Sequence, residues 1–242
     1  MTSRPNLLDG ADGQVLQRLP NELVPTGSFQ LAEALKRLRD FRDSAMGSEA
    51  AAKMDQATAE LAGADSLAHI PAVGDAAPTF ALPNEVGEIV SLDGLLASGP
   101  AVLAFYRGVW CPFCSLTLRA YQPHLPALRA SGASMVAISL QTPDASLSTA
   151  AGNGLSYPVL SDVGGAVSRD YGLVFQLPGY LQDVYRQLGH PLPTFNGTND
   201  WALPVPAVFV IDKSGVVRFG KALLDYTQRT DPLEVVDVVA HL

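Results

Sequence analysis

The chain has little of three things: cysteine, net positive charge and long apolar runs. Only two of its 242 residues are cysteines, too few for the disulfide framework that small secreted proteins use. Acidic residues outnumber basic ones by 24 to 16, so the formal net charge is −8 and the basic surface typical of nucleic-acid binders is missing. The longest apolar stretches, such as Ala101–Tyr106 and Val205–Ile211, are far too short to span a bilayer.

The first residues also lack the apolar segment of a signal peptide. A hydrophobic content of 48% is enough to build a packed core. We therefore expect a cytoplasmic protein that binds neither nucleic acid nor a membrane, and whose two cysteines are retained for chemistry.

Both cysteines lie in one Cys-x-x-Cys motif, Trp110-Cys111-Pro112-Phe113-Cys114. An apolar run typical of a buried strand leads into the motif, and a helix-compatible segment, Ser115–Arg129, follows it. The amino-terminal end of a helix favours a thiolate, and a thiolate next to a second thiol can undergo two-electron dithiol–disulfide chemistry. The motif therefore predicts redox chemistry in which Cys111 and Cys114 pair with each other.

The chain divides into a helical extension, residues 1–66, and an α/β domain, residues 67–242. Phe29–Leu61 is rich in helix-forming residues, and Leu31, Leu35 and Leu38 give one apolar face. A break is expected at Met46-Gly47-Ser48. Two interpretations of this arm remain open: it packs on its own domain, or it pairs with a second subunit in a homodimer.

From Pro71 onward, strand-like and helix-like segments alternate, which indicates an α/β sandwich with a mixed sheet flanked by helices. The insertion Val174–Trp201 is expected to be irregular apart from one short helix, and to pack as a satellite loop rather than form a substrate lid. The predicted strands are Thr79–Leu82, Ile89–Leu92, Ala101–Tyr106, Ser134–Ser139, Tyr157–Leu160, Ala207–Ile211 and Val216–Phe219. The predicted helices are Cys111–Ala130, kinked by Pro123 and Pro126, then Thr142–Gly152, Gly165–Tyr171, Tyr180–Leu188 and Pro232–Leu242.

In this order, several segments resemble the thioredoxin superfamily, and more narrowly the peroxiredoxin-like AhpC/TSA (alkyl hydroperoxide reductase and thiol-specific antioxidant) family. They are Gly74–Leu82, Phe105-Tyr106 before the cysteine turn, Tyr157–Asp162 with Ala166–Gly172, and Ala207–Asp212 with Gly215–Val217. The resemblance covers roughly residues 71–242 and implies a thioredoxin-like fold with an amino-terminal helical extension.

The active-site residues depart from the family pattern at three positions. The family motif Pro-x-x-x-Thr/Ser-x-x-Cys, aligned on Phe105-Tyr106, places its attacking cysteine at Cys114, its Pro at Arg107 and its hydroxyl residue at Cys111. The family's Arg before the late strand falls on Pro206, which instead resembles the cis-Pro facing the Cys-x-x-Cys of thioredoxin-like reductases. The resemblance therefore implies Cys114 as the attacking cysteine on one interpretation and Cys111 on the other, and the sequence leaves both open.

Three further residues are candidates for lining the site. Arg107 lies near the thiols if the strand continues into the turn, and its alternative is a surface arginine paired with a carboxylate. Trp110 is expected to line the site or cover the disulfide, and Pro206 to face it. Tyr226 is expected near the site or an interface. The four histidines show no metal-ligand spacing relative to the cysteines, so no metal and no cofactor are expected.

The leading hypothesis is a thiol-dependent antioxidant oxidoreductase, a peroxiredoxin-type peroxidase that reduces hydroperoxides through Cys111 and Cys114. Thioredoxin or another thiol would regenerate the dithiol. The alternatives are a thioredoxin-type protein disulfide reductase and a redox-sensing interaction module.

Overall fold

The helices and strands follow the predicted alternation, in a computed structural model that describes residues 19–25, 27–63 and 69–242. Predictions about residues 1–18 lie outside the described residues. The helices are α1 (Leu31–Met46), α2 (Ser48–Ala62), α3 (Leu92–Leu96), α4 (Pro112–Tyr121), α5 (Leu125–Ala130), α6 (Pro143–Asn153), α7 (Ala166–Asp170), α8 (Gly179–Gln187), α9 (Leu192–Asn196) and α10 (Pro232–Ala240). The strands are β1 (Ala81–Pro83), β2 (Ile89–Ser91), β3 (Ala101–Phe105), β4 (Ser134–Ser139), β5 (Val159–Ser161), β6 (Val174–Gln176), β7 (Ala202–Pro204), β8 (Ala207–Ile211) and β9 (Val217–Ala222).

A mixed sheet forms the centre of the described structure, with its five strands in the order β5–β4–β3–β8–β9. The central strand β3 runs parallel to β4 and antiparallel to β8, and β8 pairs with β9 as an antiparallel hairpin. Alternate residues of β3 point to opposite faces of the sheet. Val102 and Ala104 join the core cluster that contains both cysteines, whereas Leu103 and Phe105 pack in a second cluster. The predicted mixed α/β sheet is confirmed.

The arm forms two helices that pack on the rest of the chain. α1 and α2 meet at Gly47, whose φ of +79° is a conformation that suits glycine, and this confirms the predicted break. α1 packs against α4, and α2 packs against α8. Leu31, Leu35 and Leu38 are buried in the same cluster as the cysteines. The arm therefore packs on its own domain, as one of the two interpretations predicted.

The helix after the cysteine motif is interrupted where its prolines predict. α4 ends at Tyr121, a short 3-10 turn spans Gln122–His124, and α5 begins at Leu125. Proline cannot donate the backbone hydrogen bond that a helix interior needs, so Pro123 and Pro126 divide the segment. No helix in the described ranges combines the length and apolar character needed to cross a bilayer.

The insertion is more regular than predicted. It contains α8 and α9, and β6 pairs antiparallel with β7 across its base. Pro191 and Pro193 occupy the start and first turn of α9, where the missing N–H costs nothing. The pairing of β6 with β7 joins strands that begin 28 residues apart, at Val174 and Ala202, so it leaves no local pattern in the sequence. The expectation of an irregular insertion is therefore wrong.

Candidate active site

The two cysteines lie where β3 leads into α4. Cys111 is the residue that caps α4 and Pro112 is its first helical residue, which places Cys114 in the first turn. The backbone N–H of Cys114 donates to the Cys111 carbonyl at 3.0 Å. Both thiols are free and buried, with exposures of 2% and 0%, and the two residues approach to 3.3 Å. The helix end contributes a partial positive charge at this position.

The turn before Cys111 depends on a glycine. A Cβ atom on Gly108 would lie 2.5 Å from Nε1 of Trp110, so the indole can pack here only because no side chain is present. The backbone N–H of Val109 donates to the buried Oε1 of Gln141 at 2.8 Å. Trp110 stacks on His190 with ring centres 5.0 Å apart, and Tyr185 packs edge-on at 5.4 Å. These contacts fix the turn that carries Cys111.

Cys114 receives two hydrogen bonds from basic residues. The backbone N–H of Arg107 donates to its Sγ at 3.4 Å, and Nη2 of Arg229 donates to the same atom at 3.2 Å. Burial alone would raise the pKa of the Cys114 thiol. The hydrogen bond from Cys111, the guanidinium charges of Arg229 and Arg107, and the Arg107 N–H outweigh burial and hold that pKa well below its usual value. The environment therefore favours a thiolate at Cys114.

Cys111 has the opposite electrostatic environment. Burial raises the pKa of its thiol well above the usual value, and both its hydrogen bond to Cys114 and the negative charge there act in the same direction. The two arginines lower this pKa only in part. The first proton to leave the pair therefore leaves from Cys114, while Cys111 stays a thiol that donates to it.

Arg107 is held among aromatic rings. It is 3% exposed, and its guanidinium lies 4.2 Å from the ring centre of Tyr226 and 5.2 Å from that of Trp110. Its Nη2 donates to the hydroxyl of Tyr185. Cation–π contacts with three rings stabilise the charge, and no carboxylate among the described residues forms a salt bridge with it. Arg107 thus lies near the thiols, and the alternative of a surface arginine is wrong.

Pro206 lies where it was predicted, but its peptide bond differs from the prediction. It lines a small cavity of about 20 Å³ together with Cys114, Thr117 and Arg229. None of the described residues has a cis peptide bond, so the expected cis bond before Pro206 is wrong. Only Val205 and Pro206 separate β7 from β8. The trans form of a peptide bond before proline is favoured by about 0.5–1 kcal/mol.

Several contacts of the site come from segments distant in sequence. Arg229 is 115 positions from Cys114, and no spacing in the sequence indicated it. Tyr226, which was suspected near the site, packs edge-on against Phe113 at 5.6 Å. Tyr185 and His190 come from the insertion, which was expected to pack as a satellite loop, and together with Cys111 they line one cavity of the site. In the described parts of the chain, no three His, Cys, Asp or Glu side chains are grouped to hold a metal ion.

A family model described as "AhpC/TSA family" matches residues 73–219. The chain belongs to this family. The resemblance predicted from the sequence is therefore confirmed. The matched range contains both cysteines, Arg107, Trp110 and Pro206. It leaves out the helical arm and the residues after β9, including Tyr226 and Arg229.

Two curated relatives illustrate the likeness. Alkyl hydroperoxide reductase E of Mycobacterium tuberculosis is 28% identical over 151 residues, which covers 62% of this chain and 84% of the relative. Chloroplastic peroxiredoxin Q of Arabidopsis thaliana is 29% identical over 164 residues, covering 68% and 63%. Among solved structures, peroxidoxin BcpB from Mycobacterium tuberculosis superposes with a TM-score of 0.56 at 23% identity, covering 72% of this chain and 99% of that one. This structural likeness supports the thioredoxin-like fold.

Proposed function

We propose that the protein is a thiol-dependent peroxidase that reduces hydroperoxides, with Cys114 as the attacking cysteine and Cys111 as the resolving cysteine. The observation that carries the proposal is the pair of donors, Arg107 N–H and Arg229 Nη2, on the sulfur of Cys114. They stabilise the thiolate, which is the form that attacks. Membership of the AhpC/TSA family supports the same activity.

The reaction proceeds in two steps within the protein. The thiolate of Cys114 attacks the terminal oxygen of the hydroperoxide, the O–O bond breaks, and the leaving alkoxide takes up a proton to become an alcohol, or water from hydrogen peroxide. The product is a sulfenic acid on Cys114. The thiol of Cys111 then condenses with it, an S–S bond forms, and water leaves. An external dithiol, such as a thioredoxin, returns both cysteines to thiols.

The site places a positive charge and a small cavity beside the sulfur that the first step uses. The cavity beside Cys114, about 20 Å³, is large enough to hold a group the size of one water molecule. Arg229 lines this cavity, so its guanidinium is placed to donate to the oxygen that gains negative charge as the O–O bond breaks. The apolar surroundings strengthen the hydrogen bonds that Arg229 donates to the thiolate and to this oxygen.

The thioredoxin-type alternative fits the geometry less well. That interpretation requires Cys111 to be the exposed nucleophile, but its side chain is 2% exposed and its pKa is raised. The peroxidase assignment requires a thiolate at Cys114, and this is the residue that both arginines contact.

The decisive experiment follows tryptophan fluorescence, in which Trp110 next to the thiols is the reporter, after rapid mixing of reduced protein with hydrogen peroxide. We expect fast oxidation in the wild type and in Cys111→Ser, which stops at the sulfenic acid, and no fast phase in Cys114→Ser. Fast oxidation that persists in Cys114→Ser but disappears in Cys111→Ser would reverse the roles. Oxidation no faster than that of a free thiol in every form would refute the peroxidase proposal.

A further inference from the structure

Arg229 reaches Cys114 from a loop of residues 225–229, between β9 and α10. The carboxylate of Asp225 organises this loop by accepting hydrogen bonds from the backbone N–H and the hydroxyl of Thr227, at 2.9 and 2.6 Å. Arg229 is only partly buried and contacts the sulfur with a long, flexible side chain. Its direction therefore depends on how the loop is held.

Helix α1 holds this loop with two arginines one turn apart. Nη2 of Arg39 donates to Asp225 Oδ2 at 2.6 Å and also to the hydroxyl of Thr227. Nη1 of Arg42 donates to the hydroxyl of Tyr226 at 2.5 Å. Residues three positions apart lie on the same face of a helix, so both side chains meet the loop together.

Arg42 is unusual among the charged residues of α1 because it is buried. Its exposure is 5%, and its charge is balanced by Asp43 at 2.5 Å and Asp55 at 3.2 Å. A buried guanidinium is costly unless its hydrogen bonds are satisfied. Its contacts with Asp43, Asp55 and Tyr226 satisfy this condition, so Tyr226 is held in one place.

Tyr226 connects this arm contact to both arginines of the site. Its backbone carbonyl accepts a hydrogen bond from Nη1 of Arg229, whose Nη2 donates to Cys114. Its ring lies 4.2 Å from the guanidinium of Arg107. One residue thus supports the two positive groups that hold the thiolate, and Arg42 fixes that residue from the arm.

We propose that Arg42 and Arg39 are positioning residues, through which the amino-terminal arm keeps the side chain of Arg229 on the sulfur of Cys114 and holds the guanidinium of Arg107 beside the ring of Tyr226. The proposal rests on the proposed function, in which Cys114 is the attacking cysteine. It assigns a role in thiolate activation to a helix that lies outside residues 73–219, the range matched by the family model. Without this hold, the loop samples arrangements in which Arg229 no longer reaches the sulfur, and the thiolate loses a charge-assisted hydrogen bond.

The test compares Arg42→Met and Tyr226→Phe with a matched control, Arg37→Met, on the same helix. Arg37 is exposed and pairs with Glu33, away from the loop. The pKa of Cys114 is read from the ultraviolet absorbance of the thiolate in a Cys111→Ser background. The rate of oxidation by hydrogen peroxide is measured against pH in the same proteins.

If Arg229 no longer reaches the sulfur, the thiolate loses a hydrogen bond of about 1–1.5 kcal/mol, which corresponds to about a tenfold change in equilibrium. We therefore expect Arg42→Met and Tyr226→Phe to move both pH profiles upward by up to about one unit and to slow oxidation by up to about tenfold at pH values below the wild-type pKa. Arg42→Lys keeps the positive charge but has a single donor nitrogen, so we expect it to shift both profiles less than Arg42→Met does. Arg37→Met leaves both profiles unchanged.

Tyr226→Phe removes a single hydroxyl, so it remains informative if Arg42→Met does not fold. Unchanged profiles in Tyr226→Phe and in folded Arg42→Met, with fast oxidation of the wild type, would overturn the positioning role. If the wild type is not oxidised rapidly but the absorbance titration still shifts in the variants, the positioning role stands and the peroxidase proposal fails.

Discussion

Replacing Arg229 with methionine tests the electrostatic basis of the site most directly. The change removes the Nη2 donor that lies 3.2 Å from the sulfur of Cys114 and keeps an unbranched apolar stem. A hydrogen bond to a charged group contributes about 1.5–3 kcal/mol. Because Arg229 is only partly buried, solvent screens its charge and the lower end of this range applies.

A loss of about 1.5 kcal/mol corresponds to a rise of about one unit in the pKa of Cys114. The pKa moves upward because the thiolate, and not the thiol, loses a stabilising partner. At pH values below the wild-type pKa of Cys114, the fraction of thiolate and the rate of reaction with hydrogen peroxide fall about tenfold. The rate at high pH falls less, because the thiolate is then fully formed in both proteins.

The assay is rapid-mixing Trp fluorescence over a series of pH values, with Arg218→Met as the control. Arg218 is an arginine of the β9 hairpin that pairs with Asp212, away from the cysteines. We expect the control to keep the wild-type profile. An Arg229→Met profile that superposes on the wild type would show that Arg229 does not set the thiolate pKa, and would refute the electrostatic argument.

Two further predictions concern the aromatic wall of the site. Gly108→Ala places a Cβ atom 2.5 Å from Nε1 of Trp110 and should destabilise the protein by about 1–3 kcal/mol. This loss is measured as a fall in melting temperature. The control Gly179→Ala places its Cβ atom in open space and should leave the melting temperature unchanged. An equal effect of the two substitutions would contradict this. Burial, reinforced by Arg107, lowers the pKa of His190 from 6.5 to about 4, so its contribution to stability is complete above pH 6.5 and is lost as the pH falls through 4. Denaturant unfolding over this pH range should show a steeper loss of stability in the wild type than in His190→Gln, and equal slopes would contradict the prediction.

A fourth prediction links the redox site to stability. The pKa of Cys114 in the folded protein lies below the ordinary value of 9.0, so the reduced protein gains stability from this thiolate above that pH. The gain is lost as the pH falls through the lowered pKa. The difference in unfolding free energy between reduced wild type and Cys114→Ser should therefore shrink towards acid, and a difference independent of pH would contradict the lowered pKa.

Local patterns in the sequence were enough to predict the frame of the site. The apolar run of β3, the Cys-x-x-Cys turn and the prolines of the following helix depend on neighbouring residues, and the structure places them as expected. The Asp212–Gly215 turn between β8 and β9 is equally local. Such features follow from backbone preferences and periodicity within about ten residues.

The contacts that set the chemistry depend on residues far apart in the chain. Arg229 meets Cys114 across 115 positions, and Arg42 meets Tyr226 across 184. The family pattern places an arginine at position 206. The sequence has Pro206 there and gives no sign of which residue takes the place of this arginine. The structure supplies a guanidinium to the same sulfur from the loop after β9, and only the folding of the arm and of this loop onto the sheet reveals it.

The burial of the cysteines restricts access differently for the two reactions of the proposed cycle, oxidation by a peroxide and reduction by an external thiol. Leu38, Met46 and Met54 of the arm line the same cavity as Cys111, about 50 Å³ in volume. A small peroxide needs only a narrow path to Cys114, whereas a protein thiol must reach a disulfide sulfur directly to exchange with it. Tight packing of the arm is therefore compatible with oxidation by a small peroxide, whereas regeneration by a protein thiol, as in the proposed function, would require this packing to loosen. The rate at which α1 and α2 move away from Cys111 would then limit how fast the disulfide is reduced, even when peroxide is abundant.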